Sequence, residues 1–202
     1  MSHQIIVIGA GHAGLCIVEA LQRRGLECAV IDGAHRLGDV WRGRYHGLHL
    51  NTERDASKIP GTTLPSDVGR WPTGGQWADH VESAATQLGV ERRRERVVAV
   101  ERSPSGAGWT IRLDGAEALE TDAVVVATGR NRVPDRPRWQ GVDSTTVDVL
   151  HAAEYHEPSP FLGRRVLVVG AGNSGTEIAH LLSEAGVDVS LAMRTRPVWA
   201  RR

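Results

Sequence analysis

The chain has 202 residues, with 24 basic and 24 acidic side chains and a formal net charge of zero, a length that implies one or two domains. The charge balance excludes a dedicated nucleic-acid binder, which would be basic, and charged and hydrophobic shares of 24% and 41% are those of a globular protein. Apolar runs such as 123–127 fall far short of the ~18 residues that cross a bilayer, so no membrane partner is expected.

The opening segment MSHQIIVIGAG lacks the basic leader of a signal peptide, and a cytoplasmic location is expected. Cys16 and Cys28 form neither a CxxC nor a metal-ligand spacing. They read as small hydrophobes in a reducing compartment. Lys58 is the only lysine, a bias that carries no mechanistic weight.

In chain order, residues 4–8 form an apolar run ending at Gly9, and 15–21 place Leu15, Val18 and Leu21 at helical spacing before the stop at Gly25. Residues 28–31 then form a short strand ending at Asp32. Neither strand alternates, as expected of a parallel sheet covered on both faces. Residues 33–72 show no sustained period, which marks a functional loop region. A helix is predicted over 77–88, on the spacing of Trp77, Val81, Ala84 and Leu88. Strands over 96–101 and 109–113, the turn-rich SPSGAG and the Asp114-Gly115 hairpin signal predict an antiparallel meander at about 96–121. It leads into an apolar strand over 123–127, then Thr128-Gly129.

After an Arg- and Pro-rich crossing segment at 130–142, the opening pattern returns. It comprises a strand over 165–169, a glycine turn, a helix over 178–184, a stop at Gly186 and a strand over 187–192. The expected fold class is α/β: a three-layer Rossmann-like domain over 1–150 with the meander inside it, then a partial second βαβ unit over 162–202.

The two turns carry the chemistry. Gly9-Ala10-Gly11-His12-Ala13-Gly14 and Gly170-Ala171-Gly172-Asn173-Ser174-Gly175 each follow a strand and open a helix, the context in which GxGxxG cradles a dinucleotide. The first glycine permits the tight turn, the second lets the backbone approach a pyrophosphate, and the third lets helix and strand pack closely. The helix N-terminus offers free N–H groups and partial positive charge to the phosphates. Two such turns imply two dinucleotides. Asp32 is placed to accept hydrogen bonds from ribose hydroxyls, while the matching position of the second unit is Met193, followed by Arg194 and then Arg196. A carboxylate would repel a 2′-phosphate that a guanidinium binds bidentately, so the second site is expected to prefer NADPH. The alternative for Arg194 is a solvated strand-end arginine.

Together with Ala127-Thr128-Gly129 between the two units, these features resemble the flavin-dependent two-dinucleotide oxidoreductases, and three details resemble their class B flavin monooxygenases. Gly38-Asp39-Val40-Trp41-Arg42 leads to Tyr45; Asn51 follows in Leu48-His49-Leu50-Asn51-Thr52; and His151 and Tyr155 match the tail of the family signature Phe-x-Gly-x-x-x-His-x-x-x-Tyr. Thr145 and Val147 stand where that signature has Phe and Gly, and His12 stands where many members have Pro.

The resemblance implies FAD at Gly9, Gly11, His12, Ala13, Gly14, Asp32, Trp41, Arg42 and Ala127 to Gly129. It implies NADPH at Gly170, Gly172, Asn173, Ser174, Gly175 and Arg194. It also implies a small-molecule substrate oxygenated with O2 through a C4a-(hydro)peroxyflavin, the flavin doing the difficult step, and Asn51 at the flavin's reactive edge as the catalytic candidate. Bland readings stand beside these: an Asx-turn for Asn51, a core anchor for Trp41, a solvated Arg42 and a water-facing His12. If a helical turn carries them, His151 and Tyr155 share one face and belong to linker geometry. His46 and His49 lack a third ligand, so no metal is expected.

Two alternatives of other classes remain at this point. A disulfide reductase shares the scaffold but needs a redox cysteine pair. A chain with only one βαβ after residue 162 is short for a domain of at least ~50 residues, which fits an FAD-binding fragment without turnover. Its exposed sheet edge would take a complementing C-terminal segment or a second copy of the chain.

Overall fold

The computed structural model describes residues 3–130 and 133–195. It is α/β, and the chain divides into two compact units, one of residues 1–42 and 49–132, the other of 43–48 and 133–202. A six-residue strap from the irregular region, 43–48, belongs to the second unit.

In the first unit, β1 (His3–Ile8), β2 (Ala29–Ile31), β3 (Arg92–Arg93), β4 (Val97–Arg102), β5 (Trp109–Leu113) and β6 (Leu119–Val126) form one sheet in the order β3-β2-β1-β6-β5-β4. The strands from β3 to β6 are parallel, and β5 and β4 continue antiparallel. The strand at the Ala-Thr-Gly segment and the last meander strand, expected as two, are one. β6 pairs antiparallel with β5 at Leu119 to Thr121, while Thr121 to Val126 runs parallel to β1. One strand can do both because its two edges face different partners.

Side-chain alternation explains the apolar runs. Val7, Val30 and Val125 face α1 (His12–Gln22) and α4 (Gly74–Gln87), joined by Leu15, Val18, Trp77 and Val81. Ile6, Ile8, Ile31 and Val124 face the opposite way, against Ile111 and Leu113 of the meander. Both faces are thus covered by apolar groups, as a parallel arrangement requires. The irregular region contains two four-residue helices not foreseen from periodicity, α2 (Asp39–Arg42) and α3 (Arg54–Ser57).

The second unit holds β7 (Arg165–Val169), α5 (Asn173–Glu184) and β8 (Asp188–Ala192), with β7 and β8 parallel. Ile178 and Leu182 of α5 pack with Val166, Val168 and Val189, and Tyr45 of the strap and Tyr155 complete this core. His151 and Tyr155 do not share a helical face. His151 caps a 3-10 turn over Ala152–Glu154, its Nδ1 accepting from the Ala153 amide at 3.0 Å. Tyr155, 5% exposed, points into the core.

Candidate dinucleotide-binding turns

The first turn begins where β1 ends. Gly9 has φ +102°, a left-handed conformation that favours glycine, and its amide donates to the Ile31 carbonyl at 2.7 Å. A Cβ on Gly9 would lie 2.5 Å from the Ala127 carbonyl oxygen, and one on Gly14 would lie 1.9 Å from the Gly9 oxygen. At Gly11 a Cβ would meet nothing within 4 Å. The outer glycines are therefore demanded by the protein's own packing, whereas the middle one faces open space, as a cradle for a ligand must. Gly11 is also the N-cap of α1 and supplies no side-chain cap. By contrast, α4 is closed by a capping box between Thr73 and Gln76. The first amides of α1, at His12, Ala13 and Gly14, thus begin a helix that no N-cap side chain covers, and such amides are suited to an anion.

The second turn repeats this geometry. Gly170 has φ +108°, and its amide donates to the Ala192 carbonyl at 2.9 Å. Gly172 caps α5 without a side chain. A Cβ on Gly175 would lie 2.0 Å from the Gly170 oxygen, while one on Gly172 would meet nothing within 4 Å. The matching strand-end hydrogen bonds place Asp32 and Met193 at equivalent positions. Both turns therefore fit the pyrophosphate of a dinucleotide.

Their surroundings differ. Asp32 accepts from the Ala10 amide through Oδ2 at 2.7 Å and from the Ala34 amide through Oδ1 at 2.8 Å. The carboxylate thus ties the turn to the end of β2 while keeping acceptor capacity on both oxygens. Thr128 and Gly129 are exposed beyond Ala127, whose amide donates to the Ile8 carbonyl at 2.8 Å. At the second turn Met193 is 42% exposed, Arg194 is exposed beside it, and Arg196 lies outside the described residues. Asn173 and Ser174 open α5.

The remaining candidates are placed as follows. His12 rests on Trp77, ring centroids 5.6 Å apart, with Trp77 in turn 5.0 Å from His80. Partial burial against that ring pushes the His12 imidazole pKa down from its ordinary value, while the residue as a whole stays exposed. Trp41 packs partly buried against the core of the first unit, the anchor alternative. Arg42 takes up neither sequence reading: its guanidinium donates to the Leu37 carbonyl at 2.6 Å and to Asp79 and Glu82 at 2.7 and 3.1 Å, clipping α2 onto α4. Asn51 is exposed in a bend that follows buried Leu50, whose amide donates to the Pro72 carbonyl at 2.8 Å. The described residues contain no cluster of His, Cys, Asp or Glu suited to a metal. Cys16 and Cys28 are free thiols, both raised in pKa by burial, opposite to a redox-active pair.

Two arrangements escaped sequence reasoning. Tyr45, 6% exposed, donates to Glu177 Oε2 at 2.9 Å on the first turns of α5. Burial and that carboxylate push its phenol well above the usual tyrosine range. Arg92 grips the loop after β2. Tyr45 did stand out in the sequence, but nothing local named its partner. Arg92 sits in the arginine run 92–94, which has no apolar pattern to place it.

A profile described as "Pyridine nucleotide-disulphide oxidoreductase" matches residues 6–202, and the chain belongs to that family. It is 32% identical over 191 residues to "Indole-3-pyruvate monooxygenase YUCCA1" of Oryza sativa subsp. japonica, covering 94% of this chain and 47% of the relative. It is 36% identical over 182 residues to "Uncharacterized oxidoreductase CzcO-like" of Geobacillus kaustophilus, covering 89% and 51%. The structure of a flavin-containing monooxygenase from Stenotrophomonas maltophilia superposes with a TM-score of 0.91 at 28% identity, over 100% of this chain and 61% of that one. The expected resemblance to flavin monooxygenases is thus met. The chain spans about half the length of the curated relatives it matches.

Proposed function

We propose that this chain is the nucleotide-binding portion of an FAD- and NADPH-dependent monooxygenase acting on a small molecule with O2. The observation that carries the reading is the pair of strand–turn–helix glycine turns with matching left-handed first glycines and open middle glycines, one unit ending its second strand in an acid, the other in Met193-Arg194. At the first turn, the His12, Ala13 and Gly14 amides and Gly11 would hold the FAD pyrophosphate, Asp32 the ribose, and Ala127 to Gly129 the side of the turn. At the second, Gly170, Gly172, Asn173, Ser174 and Gly175 would hold the NADPH pyrophosphate, and Arg194 its 2′-phosphate. FAD, when bound, supplies hydride acceptance and oxygen activation.

The chain's own residues bind and orient. Uncapped helix amides neutralise diphosphate charge without side-chain rearrangement, and Asp32 fixes the adenosine end. Asn51 is assigned to the flavin's reactive edge, where an amide donates and accepts without changing charge. Trp41 lines the same region from the core side, and Arg42 acts only by holding α2 in place.

No helix among the described residues is long and apolar enough to cross a membrane. The two free thiols fit the cytoplasm. Leu167 and Val169, 63% and 55% exposed on β7, favour a second reading in which the chain holds FAD without turnover until a complementing segment or a second copy covers that face.

The test is absorbance and NADPH oxidation by the expressed chain. A yellow protein that retains FAD is expected; NADPH oxidation separates the first reading from the second. A folded, colourless protein that ignores added FAD would overturn both.

A further inference from the structure

Arg92 lies 16% exposed on the two-residue strand β3. Its Nη1 donates to the carbonyls of Asp32 and Ala34 at 2.7 and 2.8 Å, and its Nη2 to that of His35 at 3.0 Å. The backbone reinforces this grip, since the Asp32 amide donates to the Arg93 carbonyl at 3.1 Å and a Cβ on Gly33 would already press on the Glu95 oxygen at 3.2 Å. A guanidinium this close to an aspartate ordinarily pairs with it bidentately. Here the nearest approach to the carboxylate is 3.9 Å, at Oδ1, beyond a hydrogen bond. The donors are taken up by carbonyls, and the carboxylate is aimed by backbone amides at Ala10 and Ala34 instead.

We infer that Arg92 is a positioning residue for the adenosine half of the first cofactor. It fixes the 32–35 loop through three carbonyls, so that the guanidinium stays 3.9 Å from Asp32 and leaves the carboxylate oxygens clear of a direct hydrogen bond from it and open to ribose hydroxyls. This rests on the reading of the first turn as an FAD site. The planar fork is what lets one side chain reach three carbonyls; the ammonium of lysine is a point charge on a flexible stem. Arg92 acts through Asp32, so the two residues must be coupled rather than additive.

The experiment is FAD titration of the full chain and its Arg92→Met, Asp32→Asn and doubly substituted variants, with thermal melts of each. We expect Arg92→Met to weaken FAD about tenfold, the scale of one charge-assisted hydrogen bond, and to add less than about threefold when Asp32→Asn is already present. Arg92→Lys, which keeps the charge and disturbs the fold least, is expected to recover only part of the affinity. Unchanged FAD affinity in Arg92→Met overturns the inference. So does an equal loss with and without Asp32→Asn, which marks a general structural effect, and so does full recovery by lysine. A wild-type chain with no FAD affinity overturns the reading of the turn itself, and this inference with it.

Discussion

At the first turn a Cβ on Gly9 would lie 2.5 Å from the Ala127 carbonyl, whereas at the second the same atom on Gly170 would meet nothing within 4 Å. The third glycines do not differ in this way: Cβ atoms on Gly14 and Gly175 would lie 1.9 and 2.0 Å from the carbonyl of their own first glycine. The comparison separates three demands that one glycine pattern conceals. The third glycine is required by the turn's own closure and the first by its left-handed backbone. The Ala127-Thr128-Gly129 neighbour adds a further constraint at the first turn alone. The middle glycine answers to no protein atom in either case.

The largest effects follow from closure. Gly14→Ala and Gly175→Ala are each expected to cost roughly 3 kcal/mol, because overpacking against backbone cannot be relieved by a rotamer change. Gly9→Ala should then destabilise more than Gly170→Ala, since a left-handed alanine costs about 1–2 kcal/mol at both but only Gly9 also meets Ala127. Thermal melts of the four variants check both statements. Equal losses at Gly9 and Gly170 would dissolve the distinction drawn between the turns.

A smaller effect should sharpen the difference in ribose ends. Arg194→Ser is expected to lower the preference for NADPH over NADH about tenfold, near 1.4 kcal/mol, and to leave FAD affinity unchanged. The ratio of the two nicotinamide dissociation constants measures it.

The smallest concerns Tyr45, which the second turn has and the first lacks. Tyr45→Phe removes the bond to Glu177, worth about 1 kcal/mol, read as a lowered melting temperature of the second unit. Because the folded-state phenol is held above its ordinary pKa, its stabilisation is intact below about pH 10 and declines as pH rises through that value. The gap between wild type and Tyr45→Phe should therefore close in alkali; a gap that widens there contradicts the assignment.

Much of this could be read from the residues because it depends on local rules. Glycines at fixed spacing between an apolar strand and a helix specify both turns, and Asp32 against Met193 follows by counting along equivalent units. What could not be read depends on distant partners. β3 escaped notice because Arg92 and Arg93 pair with Val30 and Ile31 without any apolar pattern of their own. The four-residue helices α2 and α3 are too short to show a period. The expectation of a separate meander and strand failed because Leu119–Val126 carries both pairings on opposite edges. Tyr45 reaches Glu177 across 132 residues of sequence, a separation that no local pattern encodes.

The middle glycines offer the most direct measurement. FAD and NADPH are titrated by calorimetry into the wild-type chain and its Gly11→Val and Gly172→Val variants, whose new side chains would project from sites where a Cβ meets no protein atom within 4 Å. The account predicts that both variants melt near the wild-type temperature, that Gly11→Val loses FAD alone, and that Gly172→Val loses NADPH alone. Variants that keep both nucleotides, or that each lose both together, would contradict it.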